Sequence, residues 1–487
     1  MTVARPRARE STRTPTMPSA AESAPSCAAL AILCALSAFP PLTMEIYIPS
    51  LPNLQAEMQA STTTTLATIS VYTAGFSIMQ VLLGPFSDVL GRRSMLLGGL
   101  LTYVLSCVAA AAAPSIELLL VPRSTQSVGS ACAAILSMAM LRDLLSAERR
   151  EEVMVYFSMV RAIAPLCAPV IGSFLEALSG WRSTFVFLAV GGGATLLGSH
   201  IHLPESLTAE RRQRSLNCRD LLGGIGYLLA QRRFLCWAIP EATGFAALFV
   251  YIATSSYILQ QFYGVPVALF GLFYAVTFLG AVVGSAIVPT LRRRLGLSPG
   301  AVYLVGLSIC TSCAGLLVLF SFTPLATTPS VLSQACLQAS MVIFTLGRSI
   351  CMVPAQVQCL EPFPRRAATA AGLMGALRSG LVAIVSVLAG QALKAGSDPR
   401  LACRAIGLLA FTSHTAYMVL HSDEPSASEP PPTGETAAVA PAPTVDEDGA
   451  GGGGAGCEHA TSGRKKIVGK SRSARAFSAL EEDEDGL

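Results

Sequence analysis

Apolar residues fill this chain in long stretches, each closed by a short polar or glycine-containing segment. A helix needs roughly 20 apolar residues to cross a hydrocarbon core of ~30 Å. About twelve such stretches occur, at 28–53, 64–86, 94–113, 116–140, 153–178, 183–203, 234–261, 266–290, 299–321, 328–353, 367–392 and 401–421. The pattern predicts an all-α membrane protein with twelve transmembrane helices. After the sixth stretch, Pro204-Glu205-Ser206 opens a polar segment that carries six arginines. Six spans, a central loop and six more spans form the plan expected of two helical bundles that rock around a site between them.

The domain organisation follows directly. Residues 28–203 form a first six-helix bundle, 204–233 a central loop and 234–421 a second six-helix bundle. The flanking tails, 1–27 and 422–487, are rich in Arg, Ser, Pro and Ala, or in Pro, Gly and clustered charge. Neither can bury a core, and both are expected to be disordered. The first reads as a cytoplasmic tail, with a transit peptide as the alternative, since its only acids are Glu10 and Glu22.

Composition agrees with the pattern: 52% of the 487 residues are hydrophobic and only 13% are charged. The placement of charge adds an orientation. With the first tail cytoplasmic, twenty arginines fall in cytoplasmic segments, whereas Arg182, Lys394, Arg400 and Arg404 lie on the opposite side. This positive-inside bias puts both termini in the cytoplasm. The net charge of +4 conceals it, because the second tail is acidic; without that tail 28 bases face 17 acids, a net charge of +11. Membrane orientation accounts for the basic surface, and no nucleic-acid partner is expected.

Other chemistries are disfavoured. Most of the fourteen cysteines, Cys34, Cys107, Cys132, Cys167, Cys336 and Cys351 among them, lie inside apolar stretches and read as small packing residues. Cys310-Thr311-Ser312-Cys313 has redox-motif spacing but sits within a span. His200 and His202 have no ligand partners nearby, so no metal is expected. The chain lacks G-x-x-x-x-G-K-[ST], which argues against ATP hydrolysis; no cofactor and no enzyme activity are expected.

The densest motif is Gly84-Pro85-Phe86-Ser87-Asp88-Val89-Leu90-Gly91-Arg92-Arg93, between the second and third spans. It reads as a tight cytoplasmic hairpin: the glycines permit turning and close approach, and charges so near hydrocarbon need partners. Its counterpart in the second half is Pro289 to Gly296, where Arg293 falls at the place of Asp88 when Gly296 is set against Gly91.

The chain resembles the major facilitator superfamily, and within it the Bcr/CflA-type multidrug efflux proteins among the drug:proton antiporters. Gly84 to Arg93 is similar to the superfamily signature G-x-L-A-D-[RK]-x-G-[RK]-[RK], departing at Phe86, Ser87 and Val89. Arg123-Ser124-Thr125-Gln126-Ser127-Val128-Gly129 resembles the fourth-span pattern R-x-x-Q-G-x-G, and Arg142-Asp143 follows that span as in the subfamily. Ala164 to Gly172, with Pro165 and Pro169, resembles the antiporter motif of span five. Gly180-Trp181-Arg182 with Phe185, and Glu45 to Pro49 with Pro52, resemble the fifth-to-sixth loop and the first-span signature, with Glu in place of Asp. The resemblance covers residues 28–420 and implies the major facilitator fold and proton-coupled export of small hydrophobic or cationic compounds.

Each motif also has a bottom-up reading. An acid inside a span, such as Glu45 beside Tyr47, either faces a wet cavity or holds a proton; the alternative is an interfacial residue that snorkels outward. Pro40-Pro41 should break the first span just before it. Asp88 is expected to pair with Arg92 or Arg93 as a latch, or to be part of a static topogenic loop. Arg123, Arg161, Arg348 and Arg378 must face protein or water. The resemblance gives Arg123, with Gln126, a place in proton transfer, pairing with Glu45; the alternative is a permanent brace. Glu241 is the nearest acid in the second half for Arg378. In the family, the Pro165, Pro169 and Gly172 region seals against proton leak; helix packing is the alternative. Phe245, Phe249, Tyr251 and Tyr257 are candidate cavity residues.

The expected protein is a monomeric secondary transporter in a plasma or inner membrane, with an organelle membrane as alternative. Its expected partners are the bilayer, a small-molecule substrate and protons. A facilitator or symporter for an amino acid, sugar or organic anion is the second reading, and a transporter-like receptor or scaffold using the 66-residue tail is a third.

Overall fold

The computed structural model describes residues 25–207, 218–393 and 398–421. Nearly all of the first tail, the whole second tail, Arg211, Arg212, Arg214 and Lys394 lie outside the described residues.

The described chain is built of helices α1 (Cys27–Ser37), α2 (Phe39–Glu45), α3 (Leu51–Glu57), α4 (Thr62–Leu90), α5 (Arg92–Ala111), α6 (Ile116–Leu144), α7 (Ala147–Ser179) and α8 (Arg182–His202) in its first half. The second half follows with α9 (Cys218–Ala230), α10 (Arg232–Ser256), α11 (Val267–Arg293), α12 (Pro299–Ser321), α13 (Val331–Leu360), α14 (Ala367–Leu393) and α15 (Arg400–His421). A π-helical segment, Tyr257–Phe262, extends α10. Serines start many of these helices. The hydroxyls of Ser26, Ser61, Ser115, Ser298 and Ser330 each accept a hydrogen bond from the backbone amide three residues on, which satisfies a donor the helix leaves free.

Ten described helices are long and apolar enough to cross a membrane, or eleven when the bent first pair counts as one span. The remaining expected span, 401–421, does form a helix, α15, but Arg400, Arg404, His414 and His421 make it more polar than the others. The expected break in the first span is present. Cys27–Ser37 and Phe39–Glu57 meet at 41°. The break falls at Ala38, and Pro40 and Pro41 occupy the first turn of α2, where a missing amide hydrogen costs nothing. The central segment, expected as a loop, contains the 13-residue helix α9.

Two seams join the halves: α4 packs along α14, and α7 along α11. Backbone closeness needs small residues there. A Cβ on Gly372 would meet the Gln80 carbonyl oxygen at 2.6 Å, and one on Gly271 would meet the Pro169 carbonyl oxygen at 2.6 Å. Hydrogen bonds cross both seams, from Ser77 Oγ to the Ala376 carbonyl (2.7 Å), from Gln80 Nε2 to Ser379 Oγ (2.9 Å) and from the Gly271 amide to Ser173 Oγ (2.9 Å).

Candidate transport site

The acid singled out in the first span lies at the junction of the halves. Glu45 ends α2 and is buried. The Tyr274 hydroxyl of α11 donates to its Oε2 at 3.3 Å. Around this contact the packing is close: Gln260 Nε2 donates to the Pro49 carbonyl at 2.7 Å, and Gly172 packs so tightly that a Cβ would overlap the Ile46 carbonyl. Tyr274, Gln260 and Ser173 were not singled out from sequence, because no motif or spacing marks a residue that acts by meeting the other half.

Arg123 is fully buried on α6, yet no ion pair joins it to Glu45, contrary to the expected pairing. Its guanidinium sits 4.3 Å from the Tyr47 ring centroid and 4.7 Å from that of Tyr72. It donates to Gln126 Oε1 and, at 3.4 Å, to the Thr68 carbonyl. Aromatic faces and neutral oxygens replace a carboxylate as the partner of the charge. Tyr47 and Gln126 are therefore neighbours of Arg123, with Tyr47 also bonded to Thr68 Oγ1 at 3.1 Å and Gln126 to Cys107 Sγ at 3.0 Å.

The hairpin is tighter than the motif suggests. α4 runs through Gly84 and Pro85 to Leu90, so Gly84 neither turns the chain nor meets a neighbour. Gly91 alone makes the turn, at φ 95°, a conformation costly for other residues. Gly296, its counterpart, has φ 63°. Arg92 reaches Asp88 at 3.2 Å, as expected, and Asp143 more closely at 2.6 Å. Arg93 donates to the carbonyls of Leu203 and His200, both at 2.7 Å, while the Glu205 carboxylate accepts from the Arg92 and Arg93 amides at the start of α5. An anion at a helix N-terminus is favoured by the free amides and the helix dipole.

α7 continues through Pro165 and Pro169 as one 33-residue helix. Its Pro169 to Ser173 segment packs on α11, and Gly172 on the first span. In the second half Glu241 pairs with Arg348, both buried. The candidate partnership of Glu241 with Arg378 is thus replaced by one with Arg348. Arg378 lies over the Phe245 ring, 4.8 Å from its centroid. Phe249, Tyr251 and Tyr257 are buried in the core, not exposed along a cavity. Cys310 and Cys313 are free thiols that bond the Phe344 and Ser340 carbonyls across to α13, a packing role. Among the described residues no cluster of metal-ligating side chains occurs.

Known proteins are similar to this chain in sequence and in fold. The profile of the Major Facilitator Superfamily matches residues 33–387. The chain is 25% identical over 383 residues to the bicyclomycin resistance protein homolog of Haemophilus influenzae, covering 77% of this chain and 93% of that protein. It is 23% identical over 367 residues to multidrug resistance protein D of Escherichia coli, covering 74% and 89%. The fold matches the xylose transporter XylE from E. coli with a TM-score of 0.60 at 14% identity, over 80% of this chain and 96% of that one. With motifs, fold and profile in agreement over most of its length, the chain belongs to the major facilitator superfamily, resembling its Bcr/CflA-type drug exporters.

Proposed function

We propose that the protein exports small, mainly hydrophobic drug-like compounds by alternating access, driven by inward proton flow through Glu45. The relatives named for bicyclomycin and multidrug resistance support this reading. We take the chain to span the membrane twelve times, with α15 as the last span and the arginine-rich ends in the cytoplasm. A monomer suffices, since both halves belong to one chain.

The observation that carries the proton claim is the bond from Tyr274 to buried Glu45 across the two halves. A charged carboxylate makes a stronger hydrogen bond than a neutral one. With Glu45 ionised, the bond favours a sealed outer end, the state that follows proton release inward. Substrate entry then drives the outer end open, where Glu45 takes up a proton and the substrate leaves. The neutral acid can be buried again without the cost of desolvating a charge, so the halves return, and proton and substrate use the cycle in opposite directions.

The test is transport in proteoliposomes holding the full chain, with a pH gradient imposed and then collapsed by an ionophore. Expulsion of a fluorescent hydrophobic dye that ignores the gradient rules out proton drive.

A further inference from the structure

The second half contains a cavity away from the contact between Glu45 and Tyr274. It lies among α10, α12, α13 and α15, and its wall includes Pro240, Gly244, Tyr303, Phe344, Arg348 and Ser413. Its volume of about 10 Å³ is close to that of one water-sized sphere. Arg348, 6% exposed, uses Nη2 to reach the Glu241 carboxylate and, at 3.4 Å, the Glu241 backbone carbonyl. Its Nε is buried and has no hydrogen-bond partner among the described residues. Ser413, 1% exposed, donates its hydroxyl proton to the Pro240 carbonyl at 2.7 Å, which leaves its oxygen able to accept.

Gly244 brings these two atoms to one place. A Cβ on it would lie 3.3 Å from Ser413 Oγ and 3.7 Å from Arg348 Nε, so both border the space beside this glycine. A guanidinium donor buried without an acceptor is costly, because the charged group has left water and gained no bond in exchange. Cavities that stay dry are lined by apolar groups, whereas one with polar partners and room for a water holds it. The occupant must accept from Arg348 and fit the space. A cation is repelled by the guanidinium, and an anion finds its charge already neutralised by Glu241.

We propose that the cavity beside Gly244 is a binding site for one water molecule, which accepts a hydrogen bond from Arg348 Nε and donates one to Ser413 Oγ. The water completes the hydrogen bonding of Arg348 and joins α15 to the pair that Glu241 of α10 makes with Arg348 of α13. A buried ion pair holds well only where further bonds satisfy its remaining protons. Glycine at position 244 is what keeps the space, since any side chain would fill it. This site goes beyond the export reading and does not depend on it.

Two measurements on the full-length protein in nanodiscs test it. A cryo-EM map that resolves ordered waters in the helix core should show density within hydrogen-bond distance of both Arg348 Nε and Ser413 Oγ. No density there, with other core waters visible, overturns the site. Thermal unfolding of two variants gives an independent readout. Alanine in place of glycine inside a helix ordinarily stabilises, but Gly244→Ala displaces the water and should lower the melting temperature by about 2–4 °C. Gly244→Ser adds the same Cβ with a hydroxyl that takes the place of the water, so it should melt above Gly244→Ala. Crowding alone predicts the reverse order, because serine is the larger residue. A serine variant less stable than the alanine variant, or an alanine variant more stable than the native protein, refutes the proposal. The map of the native protein decides even where both variants fail to fold.

Discussion

The Tyr274 hydroxyl donates to the Glu45 carboxylate at 3.3 Å and so links the broken first span to α11 of the opposite half. Replacing Glu45 with Gln keeps the shape and removes the titratable proton. Gradient-driven efflux should fall by about 100-fold, the scale on which a positioned proton carrier acts, while gradient-free substrate exchange persists. Flux measured in proteoliposomes with and without a pH gradient decides this. Tyr274→Phe costs only one hydrogen bond, about 1 kcal/mol, and should appear as faster hydrogen exchange across residues 257–274.

Arg123 is held by Tyr47, Tyr72, Gln126 and the Thr68 carbonyl, a set suited to a flat guanidinium. Lysine lacks that shape. Arg123→Lys is expected to destabilise the protein by about 2 kcal/mol. If Arg123 is a brace, gradient-driven turnover per folded molecule survives; its loss at unchanged melting temperature would restore a role in proton transfer.

At the arginine-rich turn, Arg92 meets Asp143 at 2.6 Å and Asp88 at 3.2 Å, and the Asp143 side chain is the less exposed of the two acids, at 17% against 33%. The Asp143 contact is an ion pair and not a hydrogen bond, but it is closer and better shielded, and its charge attraction is the stronger of the two. Asp143→Asn should therefore slow transport more than Asp88→Asn, by roughly tenfold against a smaller effect. Equal effects, measured as initial rates at matched expression, would assign the latch to Asp88 as much as to Asp143.

Glycines at close backbone contacts should be intolerant and those away from them tolerant. Gly172→Ala places a methyl group on the Ile46 carbonyl, and Gly271→Ala places one against Pro169 and Val170. Overpacking of this kind costs about 1–3 kcal/mol. Gly84, inside α4 with open space around it, is the contrast: Gly84→Ala should stabilise by about 0.5–1 kcal/mol despite its place in the motif. Thermal unfolding of the three variants checks the ranking.

Outside the membrane, Asp398 shows how the sign of a pH effect follows from its partner. Arg400 donates to it through the backbone amide and the guanidinium, and these bonds hold its carboxyl below the ordinary range. The stability they add is present above the unfolded-state pKa and is lost as pH falls through the lower folded value. Asp398→Asn should remove that part of the acid dependence, seen as a flatter melting curve against pH.

The sequence by itself determined the helical class, the break before Glu45 and the need for Arg92 to find an acid. Those features are local: hydrophobic length, proline placement and the cost of an unpaired charge act within a few turns of chain. Tertiary structure alone decided the partners. Glu241 met Arg348 and not Arg378, Arg123 met aromatic rings and not Glu45, and Tyr274 reached Glu45 from a distant segment. In each case the deciding quantity is which helix faces which, within one half for the two arginines and between the halves for Tyr274. That is set by where small residues let backbones approach, and a pattern along one chain does not carry it.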